Sequence, residues 1–334
     1  METDKKQTQP TFIDLFAGIG GFRLGMESAG FKCVYSSDSN PHAAQMYEEN
    51  FGENSFGDVT QIDVDQLPDF DVMCAGFPCQ PFSMAGQKLG FEDTRGTLFF
   101  DLCRILDAKK PKAFILENVK NLTLHDSGKT FKIIIASLEK LGYKVATKVL
   151  DARLFDSPQS RERIVIIGIR ESEEAFDFDS LMVTQPKPMK EYLDKESEED
   201  YLDPIEYTLL PKDIVKVQPR SGLIFSGYRN KNMRIAGIRE NTEHLSRAHK
   251  QPNRIYSSEG SHPTLSSQES SGRYFILHEG KVRKLSLKEC YRFMGFPDNF
   301  KLIGAKGSLY NRIGNSICVG MVSSVAHQLK KQAF

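Results

Sequence analysis

The sequence predicts an α/β protein: a mostly parallel sheet covered by helices on both faces, joined to a smaller, loop-rich domain. Three observations carry this. Over the first 170 residues, short apolar runs alternate with stretches of helical period, the rhythm of successive βαβ units. A glycine-rich turn, DLFAGIGGF at 14–22, links the first strand to the first helix. Residues 204–280 lose helical period and turn rich in Gly, Ser, Asn and Arg.

Taken in order, strands are expected at 12–16, 33–35, 70–75, 113–116, 143–150 and 164–169, and helices at 22–29, 41–50, 98–106 and 131–141. The stretch 171–203 holds twelve Asp or Glu against three Lys or Arg, a net of −9, and is broken by Pro186 and Pro188. It reads as an acidic linker or exposed excursion. Short β-like pieces follow at 254–257 and 273–277, then a helical segment at 285–294. A last amphipathic helix at 317–330 carries Ile317, Met321, Val322, Val325 and Leu329 on one face, which needs an apolar partner, most simply the first domain. The expected division is 1–171, a linker over 172–203, a second domain over 204–280, and a return to the first domain over 281–334.

Composition sets limits. The 334 residues suffice for one large or two ordinary domains, with ordinary hydrophobic and charged fractions of 40% and 26%. No apolar run is long enough for a bilayer, and the polar N-terminus METDKKQTQP does not read as a secretory signal. No membrane partner is expected, and the location expected is the cytoplasm. The six cysteines form no C-x-x-C pair and the histidines no H-E-x-x-H pattern, so free thiols and no metal site are expected. Net charge is zero, yet residues 204–284 hold fourteen Lys or Arg against seven Asp or Glu, with four tyrosines and four histidines. A basic, aromatic-bearing segment is a nucleic-acid footprint or a solvated surface, and charge alone favours the surface.

The chemistry-bearing residues stand where parallel strands end, the place where such sheets bind ligands. Cys79 lies in GFPCQPFS, framed by Pro78 and Pro81. Prolines restrict both themselves and the residue before them, a frame suited to a nucleophile that must meet its target at a set angle; a small core cysteine is the alternative. Asp14 and Asp38 follow the first two strand patterns, and Asp38 is placed to accept from ribose hydroxyls. Asp58 could take an exocyclic amino group or merely cap a turn. Glu117 ends the strand pattern ILENV and could act as a general acid, bind a ring nitrogen, or pair with an arginine. Arg161 and Arg163, two apart before a strand, would point to one side if extended, toward Glu117, a phosphate or a carbonyl; for Arg161 a structural ion pair is favoured.

Together DLFAGIGGF, GFPCQPFS, ENV at 117–119, QSRERI at 159–164, RKLSLKECYRFMGFPDNF at 283–300 and NRIGNSICV at 311–319 stand in one family's order. The chain resembles the bacterial DNA (cytosine-5)-methyltransferases of restriction–modification systems. The resemblance implies a Rossmann-like sheet that binds S-adenosylmethionine, with a target-recognition domain in the variable region. It implies double-stranded DNA as partner, a monomeric enzyme, and a cognate endonuclease acting at the same short palindrome. By resemblance Cys79 is the nucleophile, Glu117 engages the cytosine ring, Arg163 contacts its carbonyl oxygen and Arg161 buttresses the site. The cofactor residues would be Phe16, Gly18, Ile19, Gly20, Asp38, Asp58, Val59, Pro78, Leu98, Asn315 and Ser316. Residues 83–97, with Gly86, Gly90 and Gly96, suit a mobile loop over the flipped base. The DNA-contacting candidates are Arg95, Lys250, Gln251, Arg254, Tyr256 and Thr264. Two departures stand out: Asp38 and Ser39 replace a glutamate and an aromatic residue, and Ala85 replaces a serine that fills the gap left by the base.

Three other readings compete. A tRNA (cytosine-5)-methyltransferase would normally carry PPCQP, where this chain has Phe77. A nicotinamide or flavin oxidoreductase would carry G-x-G-x-x-G, which is missing. A catalytically dead DNA-binding homologue is at odds with an intact set of chemical residues.

Overall fold

The computed structural model describes residues 9–78, 98–197, 199, 201–230 and 241–334. The first strand, β1 (Thr11–Leu15), reads Thr-Phe-Ile-Asp-Leu and buries four of its five residues. A strand apolar on both faces belongs in the middle of a parallel sheet. After it come α1 (Gly21–Ser28), β2 (Lys32–Ser37), α2 (Pro41–Phe51), β3 (Val72–Gly76), α3 (Leu98–Lys109), β4 (Ala113–Val119), α4 (Lys129–Lys140), β5 (Tyr143–Asp151), β6 (Gln159–Ser160) and β7 (Glu162–Arg170). Six strands form one sheet in the order β2-β1-β3-β4-β7-β5. β1 runs parallel to β2 and β3, and β3 parallel to β4; β7 alone is shown to reverse, antiparallel to β4. After β1 the chain winds first to β2 on one side and then to β3 on the other. That reversal opens a crevice at the carboxyl ends of β1 and β3.

The chain falls into two compact units. The first comprises Met1–Leu150, Glu162–Val183 and Val319–Phe334, and the second Asp151–Arg161 and Thr184–Cys318. In the second unit lie β8 (Tyr207–Leu209), β9 (Phe225–Arg229), β10 (Arg254–Ser257), β11 (His262–Pro263), β12 (Phe275–His278), β13 (Lys281–Lys284), α5 (Leu287–Phe293) and α6 (Lys306–Asn315). Five of its strands form the sheet β13-β12-β10-β9-β8, while β11 pairs in parallel with β6. Ser286 and Glu289 close a reciprocal cap at the start of α5. The last helix, α7 (Val319–Ala333), belongs to the first unit and lies on α1, with Met321, Val322, Val325 and Leu329 buried as the pattern predicted. Gly25 permits the approach, since a Cβ there would lie 2.5 Å from Val322.

Two expected boundaries are corrected. The return to the first domain comes at Val319, not at 281. β13 is hydrogen-bonded to β12, and Arg283 on β13 forks onto Glu289 of α5 at 2.8 Å through both terminal nitrogens, so this stretch stays with the second unit. The acidic stretch 172–203 is not a separate linker. Phe176 and Phe178 are buried in the first unit, edge to face at 4.8 Å. Met189 is buried in the second, its N–H bonded to the Gly260 carbonyl, and Asp194 pairs with Arg292 at 2.9 Å. Among the described residues no helix is long and apolar enough to cross a membrane, and no His/Cys/Asp/Glu cluster could hold a metal.

Candidate active site

At the end of β1 the backbone turns through left-handed conformations at Phe16, Gly18 and Gly20, with φ of 55°, 56° and 86°. Gly20 directly precedes α1 as its N-cap, and a Cβ there would lie 2.3 Å from the Phe51 ring. Asp38, just past β2, locks this turn: one carboxylate oxygen accepts from the Gly18 N–H and the other from the Asn40 N–H, each at 2.8 Å. Asp58 caps a single helical turn by accepting from the Thr60 N–H at 2.9 Å.

A groove of about 190 Å³ opens here, lined by Phe16, Asp38, Asp58, Val59 and Leu98, five of the predicted cofactor residues. Ser39, noted from sequence only as a departure, and Ser37, Gly57 and Thr60, not singled out there, complete the lining. Apolar walls from Phe16, Val59 and Leu98 suit a flat purine, and two carboxylates supply acceptors for ribose hydroxyls and an amino group. The donor set therefore fits adenosine. Gly18 and Gly20 shape the turn, Ile19 is buried, and Pro78 is exposed past the end of β3. Asn315 and Ser316 lie in the second unit at the end of α6. Asp14 is inside β1, fully buried, and does not reach the strand end. Burial, with help from the Asp38 charge, pushes its carboxyl well above the usual range.

Glu117 sits near the end of β4, level with Gly76 of β3 on one side and Val165 of β7 on the other. Its carboxylate meets Arg163 Nε at 3.0 Å, and each side chain is about one-eighth exposed, at 12% and 13%. Arg163 is further steadied by the Glu162 carbonyl at 2.9 Å. The next residue, Asn118, donates its side-chain amide to the Phe77 carbonyl at 2.8 Å and is buried. That bond ties the end of β4 to the chain two residues before Cys79. The sequence marked Asn118 only as the middle of ENV.

Cys79, Arg95, Ala85 and the loop 83–97 lie outside the described residues. The other five cysteines are free and buried. Burial pushes the Cys33 thiol up to about 12, and raises Cys74, Cys103 and Cys290 as well. None of these four is poised to form a thiolate.

Arg161 has a different fate from Arg163. It lies in the one-residue gap between β6 and β7, and its guanidinium has partners other than those of Arg163. Its terminal nitrogens donate to backbone carbonyls: Leu265 at 3.1 Å, Gly314 at 2.9 Å and Ser316 at 2.6 Å. Thr264 bonds the Ser160 carbonyl at 2.7 Å, and the Leu265 N–H reaches the Gln159 side chain at 3.3 Å. One buried guanidinium thus joins three sequence-distant blocks.

Of the DNA-contacting candidates, Lys250 and Gln251 are exposed. Arg254 donates to the His249 carbonyl at 2.9 Å and to the Gln251 side chain at 2.8 Å. Tyr256 is corrected: it is only 3% exposed, because β10 turns its ring toward Phe225 and His262, so its role is packing.

A family model for C-5 cytosine-specific DNA methylase matches residues 10–331. The type II methyltransferase M.HhaI of Haemophilus parahaemolyticus is 39% identical, over 98% of this chain and 96% of its own length. M.HaeII of Haemophilus aegyptius is 42% identical, over 94% of this chain and 91% of its own. Among solved structures, a putative DNA modification methyltransferase from an E. coli prophage superposes with a TM-score of 0.67 at 20% identity, covering 96% of this chain and 99% of that one. The S. pombe Dnmt2 methyltransferase gives 0.67 at 17% identity, covering 97% and 99%. These structures share the fold. With a cofactor groove that fits adenosine and a strand-end Glu117–Arg163 pair, the chain belongs to the C-5 cytosine-specific DNA methylases, type II enzymes whose methyl donor is S-adenosylmethionine.

Proposed function

We propose that this methylase acts on a cytosine swung out of duplex DNA, through a covalent bond to Cys79, within a short palindrome. Carbon-5 of cytosine is a poor nucleophile. Addition of the Cys79 thiolate to carbon-6 pushes an electron pair toward carbon-5, which then attacks the donor methyl group. Loss of the carbon-5 proton and departure of the thiolate restore the aromatic ring. None of this is possible inside a stacked duplex, so the base must leave the stack. S-adenosylmethionine supplies the electrophilic methyl group; Asp38 and Asp58 hold its adenosine between Phe16, Val59 and Leu98.

The observation that carries the reading is the Glu117–Arg163 pair beside the Asn118 tether to Phe77. Glu117 accepts from the amino group of the base and carries the proton that ring nitrogen 3 needs as charge develops there. Arg163, held beside Glu117 and steadied by the Glu162 carbonyl, is placed to donate to the cytosine carbonyl oxygen. Arg161 positions the blocks around it. The second unit reads the sequence, chiefly through 204–280, and the enzyme works as a cytoplasmic monomer that shields DNA from a partner endonuclease. Phe77 before Pro78 and the well-developed variable region favour duplex DNA over tRNA.

Duplex DNA with 5-fluorocytosine at the target tests this, because fluorine does not leave as a proton does. The wild type should form a stable adduct that mass spectrometry maps to Cys79, and Cys79→Ser should form none. An adduct on any other cysteine overturns the assignment. Bisulfite sequencing of plasmid DNA after expression identifies the methylated site, and a segment swap over 204–280 should move it.

A further inference from the structure

Phe56 is 61% exposed, although it is large and apolar. A single exposed phenylalanine is ordinary on a protein surface. What sets this one apart is how firmly its backbone is held and where. Phe56 forms a parallel bridge with Asp38. The Asp38 N–H donates to the Ser55 carbonyl at 2.7 Å, and the Gly57 N–H to the Asp38 carbonyl at 3.0 Å. The Ser37 hydroxyl donates to the Gly57 carbonyl at 2.9 Å, and the Phe56 N–H to the Asn54 side chain at 2.8 Å. Residues directly paired across a bridge send their side chains to the same face. The Phe56 side chain therefore leaves the backbone on the same face as that of Asp38, and its backbone directly precedes Gly57 and Asp58, which line the groove.

On the β2 side the groove is walled by small groups, Ser37, Ser39 and Gly57. They leave a bound purine without an apolar cover there. We propose that Phe56 is that cover: an outer wall of the adenosine site, whose ring closes over the nucleoside of S-adenosylmethionine. The inference rests on reading the groove as the adenosine site. A ring on a fixed backbone loses little freedom on contact, which favours binding. It also accounts for a phenylalanine kept in water on so fixed a backbone.

The chain contains no tryptophan, so Phe56→Trp places a single indole at the rim. Titration with S-adenosylhomocysteine should change its emission and saturate at the concentration calorimetry gives for binding. Phe56→Ala should raise the Kd and the KM for S-adenosylmethionine about three- to tenfold, the usual worth of an aromatic contact, and Phe56→Tyr should restore them. Affinity for DNA should not move. An indole blind to saturating ligand, or an alanine variant within about twofold of wild type, overturns the role of Phe56. Asp38→Ala separates the two levels. If it weakens binding while Phe56→Ala does not, the groove reading stands and this inference falls. If neither weakens binding, the adenosine assignment falls as well.

Discussion

At the carboxyl ends of its strands the first unit leaves four charged side chains partly open, while the second seals an arginine–glutamate pair and a further arginine. Asp38, Asp58, Glu117 and Arg163 all touch solvent to some degree, and the Glu117–Arg163 pair stands at the end of a parallel sheet. In the second unit Arg283 and Glu289 form a two-pronged pair that is 1% and 0% exposed. Arg161, 1% exposed, rests on three carbonyls, and His262 is buried among Tyr256, Tyr274 and Phe293. A pair that water can reach gives up one partner for a ligand at little cost. A sealed pair cannot, because losing a partner strands a charge in a low dielectric. Partial exposure thus separates charges that can meet a ligand from charges that hold structure.

The largest effects should fall on opposite observables in the two units. Glu117→Gln keeps the shape of the side chain and removes the proton carrier. It should cut the methylation rate by about 10²- to 10⁴-fold while leaving the melting temperature and S-adenosylmethionine affinity nearly unchanged. Arg163→Ala removes the proposed contact to the cytosine carbonyl and should also cut the rate, with S-adenosylmethionine affinity nearly unchanged. Single-turnover rates check both. A Glu117→Gln enzyme that unfolds with its activity would erase the distinction. Glu289→Ala should do the reverse. It strands Arg283 and unties the cap of α5, at a cost of about 3–5 kcal/mol in stability, read by urea unfolding. The protein that stays folded should keep its affinity for S-adenosylmethionine.

The sequence made the first unit nearly transparent. Periodicity placed all six strands of its sheet and all four crossover helices within a few residues, since those patterns are local. Phe16, Asp38, Asp58, Val59 and Leu98 were expected together and line one groove. What escaped depends on distant partners. The return to the first unit was placed at 281 because nothing local reveals that β13 pairs with β12, or that Arg283 reaches Glu289. Tyr256 carries the same letters whether it faces DNA or Phe225. Arg161 was expected in a structural ion pair; that its terminal nitrogens donate to the carbonyls at 265, 314 and 316 was hidden, because a carbonyl leaves no trace in composition. Phe56 was invisible as a candidate, because exposure and a bridge to Asp38 are properties of the fold.

Acid should sharpen the contrast. Burial holds the His262 imidazole down to about 4, although the Pro263 carbonyl at 2.6 Å pulls the other way. In the unfolded chain it titrates near the ordinary histidine value, so between those two values the unfolded state binds more protons. The stability that neutral His262 contributes is therefore present above about pH 6.5 and is lost as pH falls through about 4, on the order of 3 kcal/mol in all. Unfolding monitored by urea across this range should show a slope that His262→Gln flattens, even though that variant is less stable at neutral pH. An unchanged slope would mean that His262 is not what makes the second unit sensitive to acid.

The smallest effect separates two neighbours on the surface of the second unit. Lys250 is exposed, and its ammonium group appears in no described hydrogen bond or ion pair, so it is available to a phosphate. Arg254 has two of its donors engaged, at the His249 carbonyl and the Gln251 side chain. Lys250→Ala should weaken binding of cognate and non-cognate duplexes alike, by about the same factor. It should also lower the slope of log K against log salt by about one unit, the mark of one released counterion. Arg254→Ala should instead loosen 249–254 and reduce discrimination between sequences, with a smaller change in salt slope. Fluorescence anisotropy with two duplexes at several salt concentrations measures both. Equal loss of salt slope in the two variants would show that Arg254 trades its internal partners for phosphate on the DNA. The rule that engaged side chains hold structure would then fail at this surface.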